Sequence, residues 1–120
     1  MTFEEIKNEV NSKGEKKYTL PKGFENVHLE RDEELILKIK QTGLEFEVLD
    51  SHEKLWFFGE FNQHALYWYR QASDIGTFYS FIFKKKNYEC FIVKGEIKVF
   101  KGRMNVDPPE ELVIKLKKCL

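Results

Sequence analysis

A chain of 120 residues with 42% hydrophobic and 33% charged side chains has the length of one domain (1–120), with enough apolar surface to build a core without staples. Its 20 basic and 20 acidic residues cancel, which argues against a chain that coats nucleic acid. Two cysteines are too few for a disulfide framework.

The charge is uneven along the chain. Residues 1–60 carry 14 acidic and 9 basic side chains, and residues 61–120 carry 6 and 11, so the halves stand at −5 and +5. Such a split suits a dipolar surface that steers a charged partner, although sequence halves need not be spatial halves. The start, Met1-Thr2-Phe3-Glu4-Glu5, lacks the basic and apolar regions of a signal peptide. No apolar run approaches the ~18 residues of a membrane span. A soluble, cytoplasmic protein with no membrane association is expected.

In chain order, Thr2 followed by Glu5 is a capping box, and Phe3, Ile6 and Val10 recur at helical spacing. With Lys13-Gly14 as a stop, the pattern predicts an amphipathic helix over 3–13. Residues 14–33 form a polar connection with a turn at Leu20-Pro21-Lys22-Gly23, and either a short edge strand or a helical turn fits 24–30. Leu35–Gln41 and Leu44–Asp50 flank Thr42-Gly43 and read as a hairpin with a two-residue loop. That register pairs Ile39 with Phe46, Leu37 with Val48, Lys40 with Glu45 and Lys38 with Glu47. A one-residue slip would lose this segregation of faces.

Asp50-Ser51-His52-Glu53 turns the chain, and Lys54–Phe61 and His64–Gln71 form a second expected hairpin around Asn62-Gln63. Its mixed face collects Trp56, Phe58, Glu60, Ala65, Tyr67, Tyr69 and Gln71. Thr77–Phe83, a four-residue turn over Lys84-Lys85-Lys86-Asn87, Tyr88–Val93, a tight turn at Lys94-Gly95 and Glu96–Lys101 supply three more strands. One face of these takes Tyr79, Phe81, Phe83, Tyr88, Cys90, Ile92, Ile97 and Val99. The other takes Phe78, Ser80, Ile82, Glu89, Phe91, Val93, Lys98 and Phe100. Asp107-Pro108-Pro109-Glu110 reads as an N-cap, a proline at the first helical position and an early acid. It opens a helix over 108–119 with the stripe Leu112, Val113, Leu116 and Leu120. The expected fold is therefore α+β: a seven-stranded antiparallel meander curled into a barrel or half-barrel, flanked by an N-terminal and a C-terminal helix.

No pattern specifies a chemistry. His28, His52 and His64 fall on separate elements without metal-binding spacing, so neither metal nor cofactor is expected. Cys90 lies on an apolar face and reads as a small buried hydrophobe, with a Cys90/His64 nucleophilic pair as the weaker alternative. Glu60 among aromatic rings could hold a raised pKa or anchor a ligand, but it reads more simply as a solvated strand-end acid. No Gly-rich phosphate loop is present.

Fourteen of the 18 aromatic residues lie between Trp56 and Phe100. Large rings with polar handles on a mixed sheet face are the material of protein interfaces. The expectation is a non-catalytic protein-binding module, such as an inhibitor or a toxin-neutralising immunity protein. Its contacts would come from Trp56, Phe58, Glu60, Tyr67, Tyr69, Phe91, Lys98 and Phe100. One alternative is a β-barrel holding a small ligand against Tyr79, Phe81, Phe57 and Trp68. A further alternative, ranked behind, is a single-stranded nucleic-acid binder using the basic hairpins from Lys84 to Arg103.

Overall fold

The computed structural model describes residues 2–13, 29–62 and 76–120. The first helix, α1 (Phe3–Ser12), starts as its sequence dictates. Thr2 Oγ1 accepts from the Glu5 backbone N–H at 3.2 Å, and Glu5 Oε1 accepts from the Thr2 N–H at 3.2 Å. Ile6 and Val10, one turn apart, are its buried positions.

The next segment departs from the expected hairpin. Glu33–Gln41 is helix α2, not a strand. Asp32 caps it by accepting from the Leu35 N–H at 3.1 Å, and Thr42 Oγ1 donates to the Ile39 carbonyl at 2.6 Å. Gly43 then takes the left-handed conformation, φ +77°, that ends many helices. Glu33 and Glu34 in the first turn and Lys38 and Lys40 in the last oppose the helix dipole. Leu35, Ile36 and Ile39 are buried while Leu37 is 59% exposed. That is a helical stripe, and it breaks the strand alternation. The cross-strand pairs disappear with it: Lys38 lies 3.7 Å from Glu34, and Glu47 lies 3.3 Å from Lys54.

Lys54–Phe61, the second expected strand, lies inside helix α3 (His52–Asn62). Ser51 Oγ accepts from the Lys54 N–H at 3.1 Å at its start. Leu55, Trp56, Phe57, Phe58 and Phe61 are all buried, so α3 is apolar around most of its circumference. Periodicity cannot separate such a helix from a buried strand. The expected partner strand, His64–Gln71, lies outside the described residues, as do the turn at Leu20–Gly23 and most of 24–30.

The described strands are β1 (Glu45–Val48), β2 (Thr77–Phe83), β3 (Lys86–Val93) and β4 (Glu96–Gly102). They form an open antiparallel sheet in the order β1-β2-β3-β4. The seven-stranded barrel is thus replaced by a four-stranded sheet with a helical layer on each side. The α+β class stands. On one face Val48, Tyr79, Phe81, Phe83, Tyr88, Cys90, Ile92 and Phe100 pack with Leu35, Ile36 and Ile39 of α2, and with Leu112 and Leu116 of α4 (Glu110–Lys117). On the other, Phe78 and Phe91 pack with Ile6 and Val10 of α1 and the rings of α3. Helices on both faces satisfy the apolar surface, so the sheet has no need to curl closed.

Register explains which face assignments survive. The β2–β3 turn is two residues, Lys84-Lys85, both at positive φ (50° and 66°), rather than four. Two residues is an even change, so every side chain keeps its expected face. The β3–β4 turn at Lys94-Gly95 is as expected, with Ile92 opposite Ile97. Beyond it a bulge intervenes: Phe91 faces Val99 and Cys90 faces Phe100. The extra residue, Lys98, reverses parity, so Phe100 joins Tyr79 and Phe81 while Val99 joins Phe78 and Phe91.

A 3-10 turn over Arg103–Asn105 leads away from β4. The last helix begins at Glu110, with Pro109 as its cap residue, and not with Asp107. Asp107 accepts instead from the Lys101 ammonium. Among the described residues, no helix is long and apolar enough to cross a membrane.

Candidate functional site

The residues expected to meet a partner do not share a displayed face. Trp56 and Phe58 are buried within α3, and Phe91 lies beneath them on the sheet. Phe100 is buried on the opposite side, its ring 5.7 Å from that of Phe81. Glu60 is half-buried on α3, and the Lys98 ammonium contacts Glu96 at 2.7 Å. Tyr67 and Tyr69 lie outside the described residues. For Trp56 and Phe58 the cause is the helical state of 52–62, which turns alternate rings into core, and for Phe100 it is the bulge at Lys98. The same packing fills the space proposed for a ligand barrel: Tyr79 and Phe81 are fully buried, and Phe57 nearly so. Trp68, also named for that lining, lies outside the described residues.

What α3 brings to the sheet instead is polar. Ser80, Asn87 and Glu89 share the face that carries Phe78 and Phe91, and all three are buried there. Asn62, the last residue of α3, reaches across to them. The two hydrogens of its Nδ2 are shared among three acceptors, Asn87 Oδ1 at 2.5 Å, Glu89 Oε1 at 2.6 Å and the Phe58 carbonyl at 3.1 Å. Asn87 Nδ2 in turn donates to Ser80 Oγ at 2.5 Å and to the Phe81 carbonyl at 3.3 Å.

Glu89 is fully enclosed. Burial pushes its carboxyl up from the ordinary 4.5 to about 8, only partly opposed by the Asn62 hydrogen bond. At neutral pH this group is mostly the uncharged acid. Asn62 is also fully buried, and its Oδ1 has no hydrogen-bond partner among the described residues. A buried acceptor left unmet costs about 1–3 kcal/mol, so its retention asks for a reason.

This network borders a pocket of about 290 Å³ lined by Phe61, Asn62, Lys85, Lys86, Asn87, Tyr88, Arg103 and Val106. Phe61, Tyr88 and Val106 make apolar walls, and the two carboxamides add polar ground. Lys85, Lys86 and Arg103 are exposed and, among the described residues, make no ion pair. No carboxylate of the described residues lines the pocket. The Arg103 guanidinium lies over the Phe61 ring at 5.7 Å, a cation–π contact that fixes it at the rim. The backbone that presents it is unusual. Met104 and Asn105 both adopt left-handed conformations, φ 57° and 64°, and the Gly102 N–H donates to the Val106 carbonyl at 2.6 Å. Lys84 and Lys85 are left-handed too, so both segments that bring cations here carry backbone strain.

The other candidates do not assemble a site. Cys90 is buried, and burial pushes its thiol up, away from the thiolate a nucleophile needs. Its proposed partner His64 lies outside the described residues. Among the described residues, no group of three His, Cys, Asp or Glu could hold a metal ion. The pocket was partly visible in the sequence, since Lys85, Lys86 and Arg103 belong to the basic hairpins. Asn62, Asn87 and Glu89 were missed. Their one signal is parity: Glu89 sits in register with Phe78 and Phe91, an acid at a position where the strand turns inward. Compared with known proteins, the chain matches no family model, no curated protein and no solved structure.

Proposed function

We propose that the protein is a non-catalytic binding protein for a small phosphate-bearing ligand, held in the pocket between the end of α3, the start of β3 and the turn at Arg103–Asn105. The observation that carries this reading is the convergence of three cations, Lys85, Lys86 and Arg103, on a pocket that no described carboxylate lines. Like charges without an ion pair among the described residues repel one another, and an anion between them removes that repulsion. Some of the charge offsets the carbonyl end of α3, but one lysine would serve that purpose. The apolar walls and paired carboxamides fit the usual make-up of a small-molecule site, with a volume just under the ~300–1,000 Å³ range. Glu89 is bonded to Asn62 but does not line the pocket, which favours binding over acid–base chemistry. The protein-partner reading draws less support, because four of its anchors, Trp56, Phe58, Phe91 and Phe100, are core.

Calorimetric titration with inorganic phosphate and with ribose 5-phosphate, at low and high ionic strength, tests the proposal. Binding should weaken as salt rises. Alanine at Lys85, Lys86 or Arg103 should weaken it about 5- to 30-fold each, the worth of a charge-assisted hydrogen bond of ~1–2 kcal/mol. These exposed side chains should leave the melting temperature nearly unchanged. Equal affinity in the triple alanine variant, or no binding at low salt, refutes the reading.

A further inference from the structure

Given the phosphate-binding reading above, the side chains next to the cations point to where the phosphate comes from. Arg103 is followed by Met104, which is 69% exposed, and Val106 is 58% exposed. The other exposed large apolar residues described are Leu37 on α2, Ile114 on α4 and Leu120 beyond its end, and Met104 is more exposed than any of them. The turn holds Met104 outward at a cost. Its φ of 57° is a left-handed conformation that a long side chain disfavours, and the Gly102 N–H closes the turn on the Val106 carbonyl. Met104 does not line the pocket, whereas Arg103 and Val106 on either side of the turn do. The nearby carboxylates are taken up elsewhere: Asp107 meets Lys101, and Glu111 lies 3.5 Å from Lys84. Lys85, Lys86 and Arg103 are left exposed, with no ion pair among the described residues.

An apolar tip beside three such cations suits a surface that presents phosphate above hydrocarbon. A phospholipid bilayer offers both at once: its anionic headgroups attract Lys and Arg, and its acyl boundary lies within about 10 Å beneath them. A folded protein partner is a poorer match. Two apolar side chains and three cations supply much less than the ~800 Å² per partner of a specific interface, whereas a bilayer demands no matching shape. We propose that the phosphate belongs to an anionic phospholipid in a bilayer. Lys85, Lys86 and Arg103 hold the headgroup at the pocket, and Met104, with Val106 beside it, enters the acyl boundary. A pocket of about 290 Å³ has room for one glycerophosphate headgroup. Such a contact is peripheral and needs no spanning helix. It sets aside the sequence-based expectation of no membrane association, which rested on the lack of an apolar span.

The test sets vesicles against a soluble headgroup, using the full chain. Sedimentation at low ionic strength measures binding to vesicles of phosphatidylcholine alone and of phosphatidylcholine with phosphatidic acid in a four-to-one mixture. Calorimetry with glycerol 3-phosphate measures the phosphate without a bilayer. The mixed vesicles should bind at least about ten-fold more tightly than phosphatidylcholine alone, and alanine at Lys85, Lys86 or Arg103 should each cost about 5-fold. Met104→Asn suits the left-handed position, so the turn should survive it. This variant should bind the mixed vesicles about 5- to 30-fold more weakly, the worth of burying most of one such side chain, with its affinity for glycerol 3-phosphate unchanged. Met104→Leu should keep the affinity for vesicles. If Met104→Asn binds the mixed vesicles as tightly as the unaltered chain, the insertion is refuted. If glycerol 3-phosphate binds but phosphatidic acid adds nothing to vesicle binding, the bilayer inference falls and the phosphate pocket stands. If neither vesicles, glycerol 3-phosphate nor inorganic phosphate bind, the underlying reading falls and this inference with it.

Discussion

Replacing Glu89 with Gln should make the protein more stable, and increasingly so as pH rises. Glu89 is fully buried, and its carboxyl titrates near 8 in the folded chain against an ordinary 4.5. Between those values the folded state holds a proton that the unfolded state has released. The unfolded state binds fewer protons, so the free energy of unfolding falls as pH rises through this window. The contribution is fully present below about 4.5 and is lost by the time pH passes 8. At about 1.4 kcal/mol per pH unit, the loss is about 3 kcal/mol at pH 7 and about 5 kcal/mol above pH 8. Gln keeps the oxygen that accepts from Asn62 Nδ2 and cannot ionise. Urea unfolding of both proteins from pH 5 to pH 9 would measure the effect. The two curves should lie close together near pH 5 and separate by several kcal/mol by pH 9, with Glu89→Gln the more stable. A gap that stays constant with pH, or an unaltered chain that gains stability across this range, would show that Glu89 is ionised in the fold.

The other expectations concern the backbone and the helices. Ile36→Ala should cost about 2–5 kcal/mol in chemical denaturation, whereas Leu37→Ser should change stability by less than about 0.5 kcal/mol, since only the first is buried; the reverse order would return this segment to a strand. A Cβ on Gly76 would sit 2.5 Å from the Ile92 carbonyl oxygen and 2.7 Å from the Phe91 ring. Gly76→Ala should therefore lower the melting temperature, by the equivalent of about 1–3 kcal/mol. Lys94 stands at φ 48° in the two-residue turn before Gly95, a position that Asn tolerates better. Lys94→Asn should raise thermal stability by up to about 1 kcal/mol, and a loss would mean the turn is not the one described.

Much of the chain's local structure follows from residue order alone. Thr2 and Glu5 specify the start of α1 through their own reciprocal hydrogen bonds, a contact within one turn. The alternation of Tyr79, Phe81 and Phe83 against Phe78 and Ser80 specifies strand faces, and these survive an error of two residues in turn length because side chains repeat every two. Asp32, Glu33 and Glu34 ahead of Leu35, with Thr42-Gly43 behind, also mark a helix, but Leu35, Leu37 and Ile39 suit a strand equally well. Local pattern left that choice open. Burial of Ile36 and exposure of Leu37 closed it.

Tertiary packing decided the rest. The run from Leu55 to Phe61 is apolar under either period, so only its packing on α1 and the sheet makes it a helix. Once it is a helix, the expected contact rings become core, and Asn62 is carried to Asn87 and Glu89, 25 and 27 residues away. The bulge at Lys98, which moves Phe100 to the far face, is likewise invisible in a strand's own alternation. Sequence order encodes what neighbouring residues do to one another over a turn or a pleat. The pocket depends on groups far apart in the chain, and their meeting depends on which way a helix end points when it packs.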